Sequence, residues 1–259
     1  MSGLAPAADD TIRVYWMTGC TSCLRTKEFL TRHGVPFLSR NVLEEPEAYE
    51  ELAAFGLRQV PIVTRGAAWV NGQALDDVAR IAGIDWGRKG PLPAAELQLR
   101  LQRILAAAQR YTAQLPAAQL AVELPDRPRS YADLAYHIHN IADAFLEHDA
   151  GTPLEFDSYN RIPAKGQDNH AALRAYQQDV ERRIAAWFAG PGRNRDWTSP
   201  ANVYYGEQSW LEFLERTTWH SCQHTRQLIW VLEGLGIAPE GRLGQETFAG
   251  LPLPEQVWG

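Results

Sequence analysis

The pattern of the chain changes near residue 90, and this change limits the folds that the chain can adopt. Residues 11–83 alternate short β-rich runs with short helical segments, whereas the residues after 93 show long helical periodicity. The segment between them contains Gly and Pro without periodicity, which is typical of a linker. A chain of 259 residues is long enough for two domains. We therefore predict an α/β domain over 11–83, a linker over 84–93, an all-α domain over 94–237 and a C-terminal tail over 238–259.

The first domain is predicted to have the element order βαβαββα. The run IRVYW and the segment VPFLSRNV are β-rich, and the helix between them is expected to end at Gly34. A helix from Pro46 to Gly56 follows, and then VPIV and AAWV, which predict a hairpin. The last helix is expected to end at Gly83. A strand–helix–strand connection in one sheet predicts a parallel crossover before the antiparallel hairpin.

The second domain is predicted to be an antiparallel four-helix bundle. Long helical segments joined by irregular ones are typical of such bundles. The four predicted helices cover residues 94–115, 130–147, 168–190 and 206–236. Ser130 has the residue type expected at the N-cap of the second helix.

Cys20 and Cys23 form a C-x-x-C between the first predicted strand and the first predicted helix. The partial positive charge of a helix N-terminus favours a thiolate at the first cysteine. We therefore predict Cys20 as an exposed nucleophile and Cys23 as the shielded thiol that resolves a mixed disulfide. Two other interpretations stay open, half of a zinc site and a pair of inert buried thiols.

The dipeptide Val60-Pro61 favours the redox interpretation of the cysteine pair. It precedes a strand that follows a helix, a position that suits a cis peptide packed beside the cysteines. Such a bend leaves backbone groups available to pair with an incoming peptide or thiol. We therefore predict that Val60 and Pro61 bind the substrate.

Histidines on two predicted helices suggest a metal site. His220 and His224 are four residues apart and share one helix face, although such a pair can also face solvent without a ligand. His137 and His139 point about 200° apart on the second helix, so at most one is expected to face the core. Apolar neighbours favour His137. Three histidine ligands with an open position describe a catalytic metal, with Zn²⁺ as the default and Ni²⁺ or Fe²⁺ as alternatives.

Charge and cysteine content exclude several classes of protein. The net charge is −6 and no stretch is rich in Lys and Arg, so a nucleic-acid partner is not expected. No apolar run approaches the roughly 20 residues that cross a bilayer, and no signal peptide is recognised. We expect a cytoplasmic protein, in which a C-x-x-C is usually redox-active or metal-binding. The third cysteine, Cys222, is expected to be a buried core thiol that points away from the metal.

The first domain resembles the glutaredoxins. The resemblance is carried by VYWMTGCTSCLRTKEFLTRHGVPF, QVPIV and WVNG followed by LDD, and it covers residues 11–83. It is greatest to the glutaredoxin-like redoxins that supply electrons to ribonucleotide reductase. The resemblance implies a thioredoxin fold with Cys20 as nucleophile, Cys23 as resolving thiol and Pro61 as the cis-proline.

The second domain resembles the DinB-like superfamily of metal-binding four-helix bundles. The carrying segments are SYADLAYHI and HSCQHTRQL, and the resemblance spans about 94–237. In that family one His on the second helix and an H-x-x-x-H on the last helix hold a divalent metal, which implies His137, His220 and His224. Some members are isomerases or S-transferases that use a low-molecular-weight thiol such as mycothiol or bacillithiol.

Together the two halves predict a cytosolic thiol-disulfide oxidoreductase coupled to a metal-dependent transferase or isomerase domain. The co-substrate would be a low-molecular-weight thiol, and the tether would raise the effective concentration of one domain for the other. One alternative is a disulfide reductase with a metal-binding structural or sensor module. Another is a metal-handling protein whose C-x-x-C passes soft metals to the bundle. Expected partners are the thiol or its disulfide, a reductase or disulfide-containing protein, and a second copy of the chain in a homodimer.

Overall fold

The computed structural model describes residues 10–87, 90–125 and 127–258. Its contacts divide the chain into two compact units, residues 90–253 and the residues on either side of them. The first unit therefore includes residues after 253. The backbone N–H groups of Glu255 and Gln256 donate hydrogen bonds to the carboxylate of Glu28, at 2.7 Å and 3.0 Å.

The first unit has the element order βαβαββα that the sequence predicts. Its elements are β1 (Ile12–Trp16), α1 (Thr21–Arg32), β2 (Leu38–Asn41), α2 (Pro46–Ala54), β3 (Ile62–Arg65), β4 (Ala68–Asn71) and α3 (Leu75–Ala82). The strands form one mixed sheet in the order β2-β1-β3-β4. β1 and β2 are parallel, whereas β3 is antiparallel to both β1 and β4. The predicted parallel crossover and the later hairpin are thus confirmed, in a thioredoxin-like arrangement.

Two apolar clusters form the core of the first unit. Side chains alternate between the faces of a strand, so neighbouring residues of β1 enter different clusters. Val14 packs in the cluster that contains Phe29 of α1 and Val78 of α3. Tyr15 packs in the other cluster, with Cys23 of α1 and Leu52 of α2. This second cluster places the buried cysteine directly beside the sheet.

The second unit is mostly helical. It contains α4 (Ala94–Gln114), α5 (Tyr131–Asp149), α6 (His170–Ala189), α7 (Trp210–Gly234), the short α8 (Gln245–Phe248), and the strands β5 (Pro200–Val203) and β6 (Gly206–Ser209). α7 packs against α4 and α5, and α6 packs against the same two helices. α5 therefore has a long helix on two of its sides, which positions its polar side chains for contacts with both.

The start of α7 differs from the prediction. The sequence predicts a helix from residue 206, but residues 206–209 form β6, which pairs antiparallel with β5. The helix begins only at Trp210 because Ser209 and Glu212 form a capping box. The Ser209 hydroxyl accepts from the N–H of Glu212, and the Glu212 carboxylate accepts from the N–H of Ser209 at 2.7 Å. The predicted cap at Ser130 is confirmed, with Asp133 completing a capping box there.

The long helices also show no membrane-spanning character. α7, the longest described helix, has 25 residues, but Thr, Ser, Gln, His and Arg side chains interrupt its apolar sequence. None of the described helices is both long and apolar enough to cross a bilayer.

Candidate functional site

The cysteine pair lies where β1 turns into α1. Cys20 is the N-cap residue of α1, and it forms a disulfide with Cys23 across a Cα–Cα distance of 5.2 Å. Cys20 is partly exposed, whereas Cys23 is fully buried, at 0%. The backbone N–H of Cys23 donates to Sγ of Cys20 at 3.2 Å. After reduction this donor and the helix N-terminus would stabilise a thiolate on Cys20, the more accessible sulfur.

A cis-proline accompanies the cysteine pair. The Val60–Pro61 peptide bond is cis, which confirms the prediction for this bond. Val60 belongs to the apolar cluster that contains Cys23, and Cys20 packs against the same cluster. The substrate-binding role of Val60 and Pro61 stays a prediction.

Gly72 allows the cis-proline to pack closely on the hairpin. Its N–H donates to the carbonyl of Pro61 at 2.9 Å, and its carbonyl accepts from the hydroxyl of Thr26 at 2.7 Å. A Cβ at this position would lie 2.9 Å from Cβ of Pro61, which is too close for a normal contact. The absence of a side chain at Gly72 therefore fixes how Pro61 is held next to α1.

Lys27 is a basic residue near the cysteines that was not predicted as a site residue from the sequence. It lies one turn after Cys23 on α1, and its Nζ is 3.3 Å from the centroid of the Trp16 ring. Trp16 and Cys20 both pack against the apolar cluster that contains Cys23. Desolvation lowers the pKa of Lys27. The spacing of Cys20, Cys23 and Lys27 could have predicted that Lys27 lies near the cysteines, because residues three and four apart share a helix face.

The three predicted metal ligands meet in the second unit. His137 comes from α5, and His220 and His224 come from α7. All three are buried, and their candidate ligand atoms lie within 4.8 Å of one another. A tetrahedral ion at about 2.0–2.1 Å from each nitrogen requires the nitrogens to lie about 3.3–3.4 Å apart, so a shift of less than about 1 Å by each ring would suffice.

The hydrogen bonds of these histidines fit a metal site. His224 Nδ1 lies 2.6 Å from Oε1 of Gln227, so an N–H there leaves Nε2 with a free lone pair. The Nδ1 atoms of His137 and His220 are buried and have no hydrogen-bond partner among the residues that the structure describes. Within the described residues these two nitrogens are therefore available as ligand atoms, although Nδ1 of His139, outside the cluster, is also without a partner there. The donor set therefore suits a divalent metal.

The environment keeps the imidazoles neutral. Burial lowers the pKa of His137, His220 and His224 well below the usual value, and nearby arginines lower it further. A neutral imidazole is the form that binds a metal.

The expectation that at most one of His137 and His139 faces the core is wrong. Both are buried, at 3% and 0% exposed. His139 Nε2 lies 3.1 Å from a carboxylate oxygen of Glu181 on α6. Two side chains about 200° apart can both be buried because α5 packs against α7 on one side and α6 on another. His137 therefore faces the other two histidines, whereas His139 pairs with the carboxylate of Glu181.

Cys222 is a buried thiol, as predicted. It is 0% exposed and belongs to no disulfide within the described part of the chain. Burial raises its pKa to about 12, so it is neutral and unreactive at physiological pH.

Two arginines near the histidine cluster were not predicted as site residues from the sequence. Arg216 lies one turn before His220 on α7, and Arg129 immediately precedes the N-cap of α5. They are 7% and 8% exposed. The spacing R-x-x-x-H-x-x-x-H was a signal for Arg216, because the three residues share one face of the helix. Nothing in the local sequence marks Arg129.

Comparison with known proteins identifies the first unit. The glutaredoxin family model matches residues 12–70. The glutaredoxin-like protein NrdH of Escherichia coli (strain K12) is 36% identical over 70 residues, which are 27% of this chain and 86% of the relative. The NrdH protein of Lactococcus lactis subsp. cremoris (strain MG1363) is 28% identical over 71 residues, which are 27% of this chain and 99% of the relative. The chain therefore belongs to the glutaredoxin family, and Cys20 and Cys23 form the active-site pair of its thiol oxidoreductase domain.

Proposed function

We propose that this chain joins a thiol-disulfide oxidoreductase to a metal-dependent transferase or isomerase that uses a low-molecular-weight thiol. The metal would be held by His137, His220 and His224, in a DinB-like four-helix bundle formed by α4, α5, α6 and α7. The observation that carries the proposal is the convergence of three buried imidazoles from α5 and α7. Two of them have an Nδ1 atom without a hydrogen-bond partner among the described residues.

The oxidoreductase reaction follows from the arrangement of the two cysteines. In the reduced form, the thiolate of Cys20 attacks one sulfur of a substrate disulfide and releases the other as a thiolate. The thiolate of Cys23 then attacks Sγ of Cys20, releases the second substrate thiol and leaves the Cys20–Cys23 disulfide. Two electrons pass to the substrate, and an external thiol or reductase must return them. Val60 and Pro61 would hold the substrate beside Cys20.

The histidine cluster would supply the second reaction. A divalent metal held by these histidines would lower the pKa of a bound thiol, so that a thiolate would be available at neutral pH. His137, His220 and His224 would hold the metal, with Zn²⁺ as the default and Ni²⁺ or Fe²⁺ as alternatives. Gln227 would orient the imidazole of His224 through its 2.6 Å contact with Nδ1.

The two reactions share one chemical class of partner, because each uses a thiol or its disulfide. The proposed partners are therefore a low-molecular-weight thiol, its disulfide, and a reductase or disulfide-containing protein. The tether would keep the two sites at a high effective concentration for each other.

A second candidate function is a disulfide reductase whose helical unit is a structural or sensor module. The burial of the histidines favours it, because none of the three is more than 7% exposed. A catalytic metal site must admit its substrate, whereas a structural metal site has no such need.

Metal analysis followed by a chelator experiment separates the two functions. Purified untagged protein is first assayed for bound metal and then for turnover of a mixed disulfide and of thiol-dependent electrophile conjugation. We expect chelation to abolish conjugation and to leave disulfide reduction intact. If every thiol-dependent activity survives complete removal of the metal, the chain is a disulfide reductase whose helical unit is a structural or sensor module. If no divalent metal binds at all, the proposed metal centre is wrong.

A further inference from the structure

The second unit contains a cavity of about 260 Å³ between α4 and α6. The last two turns of α4 line one wall of this cavity, and the first three turns of α6 line the other. The histidines of the proposed metal centre come from α5 and α7 instead. Sites for drug-sized molecules occupy roughly 300–1,000 Å³, so this cavity fits a smaller ligand.

The walls of the cavity carry positive charge. Arg110 of α4 and Arg174 of α6 line it, and none of the described residues in its walls is acidic. Within the described part of the chain, Arg174 forms no ion pair and no hydrogen bond. Arg110 donates one hydrogen bond, from Nη1 to the carbonyl of Ala106 at 3.1 Å. The helix dipoles oppose each other here, because α4 ends where α6 begins, so the two guanidiniums decide the sign of the charge.

Gln109 adds a neutral donor to the same walls. Its Nε2 is buried and has no hydrogen-bond partner among the residues that the structure describes. A buried N–H group without an acceptor costs free energy, so such groups are normally paired. An oxygen of a ligand in the cavity would supply the acceptor that this amide lacks.

The other polar residues of the cavity hold its walls in place. Gln177 of α6 is 1% exposed, and its Nε2 donates to Oγ1 of Thr112 at 3.0 Å and to the carbonyl of Ala135 at 3.3 Å. Nε2 of His170 lies 2.9 Å from the carbonyl oxygen of Leu115, to which it donates. These bonds connect α6 to α4, to the residue after α4 and to α5. The cavity is therefore formed before any ligand binds, as small-molecule sites usually are.

We propose that this cavity binds a phosphoryl group, held by Arg110, Arg174 and Gln109. A phosphate dianion presents only acceptor oxygens and matches the charge of two guanidiniums, each of which can bind two of its oxygens. A third oxygen would accept from Nε2 of Gln109. The ligand is either inorganic phosphate or a small phosphomonoester, because both present the same group. This site goes beyond the proposed function and needs neither the metal nor the cysteines.

The test compares three anions on the unaltered full chain. The protein is titrated calorimetrically with sodium phosphate, glycerol 3-phosphate and sodium acetate at constant ionic strength. We expect saturable binding of phosphate at one site, at least about fivefold tighter than binding of acetate. Tighter binding of glycerol 3-phosphate would identify a phosphomonoester as the ligand, and equal or weaker binding would identify free phosphate. No saturable binding of either phosphate compound, or equally tight binding of acetate, would overturn the proposal.

Two variants locate the site within the unit. Arg174→Gln should weaken phosphate binding about fivefold or more, because it removes a charged donor. Gln109→Leu removes the buried donor without an acceptor, so the melting temperature in phosphate-free buffer should not fall. The rise in melting temperature that phosphate causes should nevertheless be smaller in this variant. An unchanged phosphate affinity in both variants would contradict the site.

Arg182→Gln is the matched control, because it removes a guanidinium from the same helix at a side chain that is 74% exposed. Arg182 lies outside the cavity walls, so the phosphate affinity of this variant should be unchanged. An equal loss of affinity in Arg182→Gln and Arg174→Gln would indicate unspecific attraction of anions and would contradict the site.

Discussion

Arg216 and His220 contact the same aromatic ring, that of Tyr159. The guanidinium carbon of Arg216 is 4.9 Å from the Tyr159 centroid, and the His220 ring centroid is 5.4 Å from it. The two residues are one turn apart on α7, so the helix and one tyrosine fix their relative position. Tyr159 lies outside the long helices, in a single turn of 3₁₀-helix formed by residues Phe156–Tyr159. A short segment outside the four long helices therefore supports the histidine cluster.

Replacing Tyr159 should show that its ring, and not its hydroxyl, supports the cluster. Tyr159→Phe keeps the ring, so we expect metal affinity close to that of the unaltered protein. Tyr159→Ala removes a buried ring and its contacts with Arg216 and His220, which should destabilise the unit by roughly 3 kcal/mol or more. Thermal unfolding and metal titration of both variants measure these effects. Equal loss of metal affinity in the two variants would assign the role to the hydroxyl instead.

The two active-site cysteines should behave differently when replaced singly. Cys20→Ser removes the accessible sulfur and should abolish reduction of a mixed disulfide. Cys23→Ser keeps the nucleophile but not the resolving thiol, so a covalent adduct on Cys20 should accumulate. Mass spectrometry of the protein after reaction with the disulfide detects that adduct.

Cys222→Ala is the control for these cysteine variants, because Cys222 is fully buried and outside the first unit. We expect its turnover of the disulfide to be unchanged. Retained turnover in Cys20→Ser, or an adduct on Cys222, would show that Cys20 is not the nucleophile.

A side chain at Gly72 should disturb the cis-proline. Gly72→Ala places a Cβ 2.9 Å from Cβ of Pro61 and 3.1 Å from a methyl carbon of Thr26. Such overpacking costs typically about 1–3 kcal/mol, and the displacement of Pro61 should lower kcat/KM for disulfide reduction. Gly87→Ala is a suitable control, since within the described residues no atom beyond its chain neighbours lies within 4 Å of the added carbon. Equal activity and stability of the two variants would mean that the approach of Gly72 to Pro61 is unimportant.

Local patterns were sufficient to predict the architecture of the first unit. Turn residues such as Gly34 and Gly56 both have positive φ and end helices where the sequence predicts. The alternation of strand residues predicted the element order. The position of Val60-Pro61 before a strand predicted the cis bond. These features depend on a few neighbouring residues, so one sequence contains the necessary information.

The surroundings of the histidine cluster could not be predicted in the same way. The helical period shows that His137 and His139 point apart, but not that α6 and α7 cover both sides of α5. A charged residue such as Arg129 is normally exposed, and only the fold reveals that it is buried beside the histidines. The hairpin of β5 and β6 was missed because only the cap at Ser209 separates it from the helix that follows. Tertiary contacts decide each of these features.

The most direct test of the central claim is the metal content of two neighbouring histidine variants. His137→Gln removes one of the three converging imidazoles, whereas His139→Gln removes an equally buried imidazole that pairs with Glu181. After loading with zinc and removal of excess metal, elemental analysis should find about one ion per chain in the unaltered protein and in His139→Gln, and little in His137→Gln. Circular dichroism confirms that both variants are folded. Equal zinc content in the two folded variants, or no zinc in the unaltered protein, would contradict a metal centre at His137, His220 and His224.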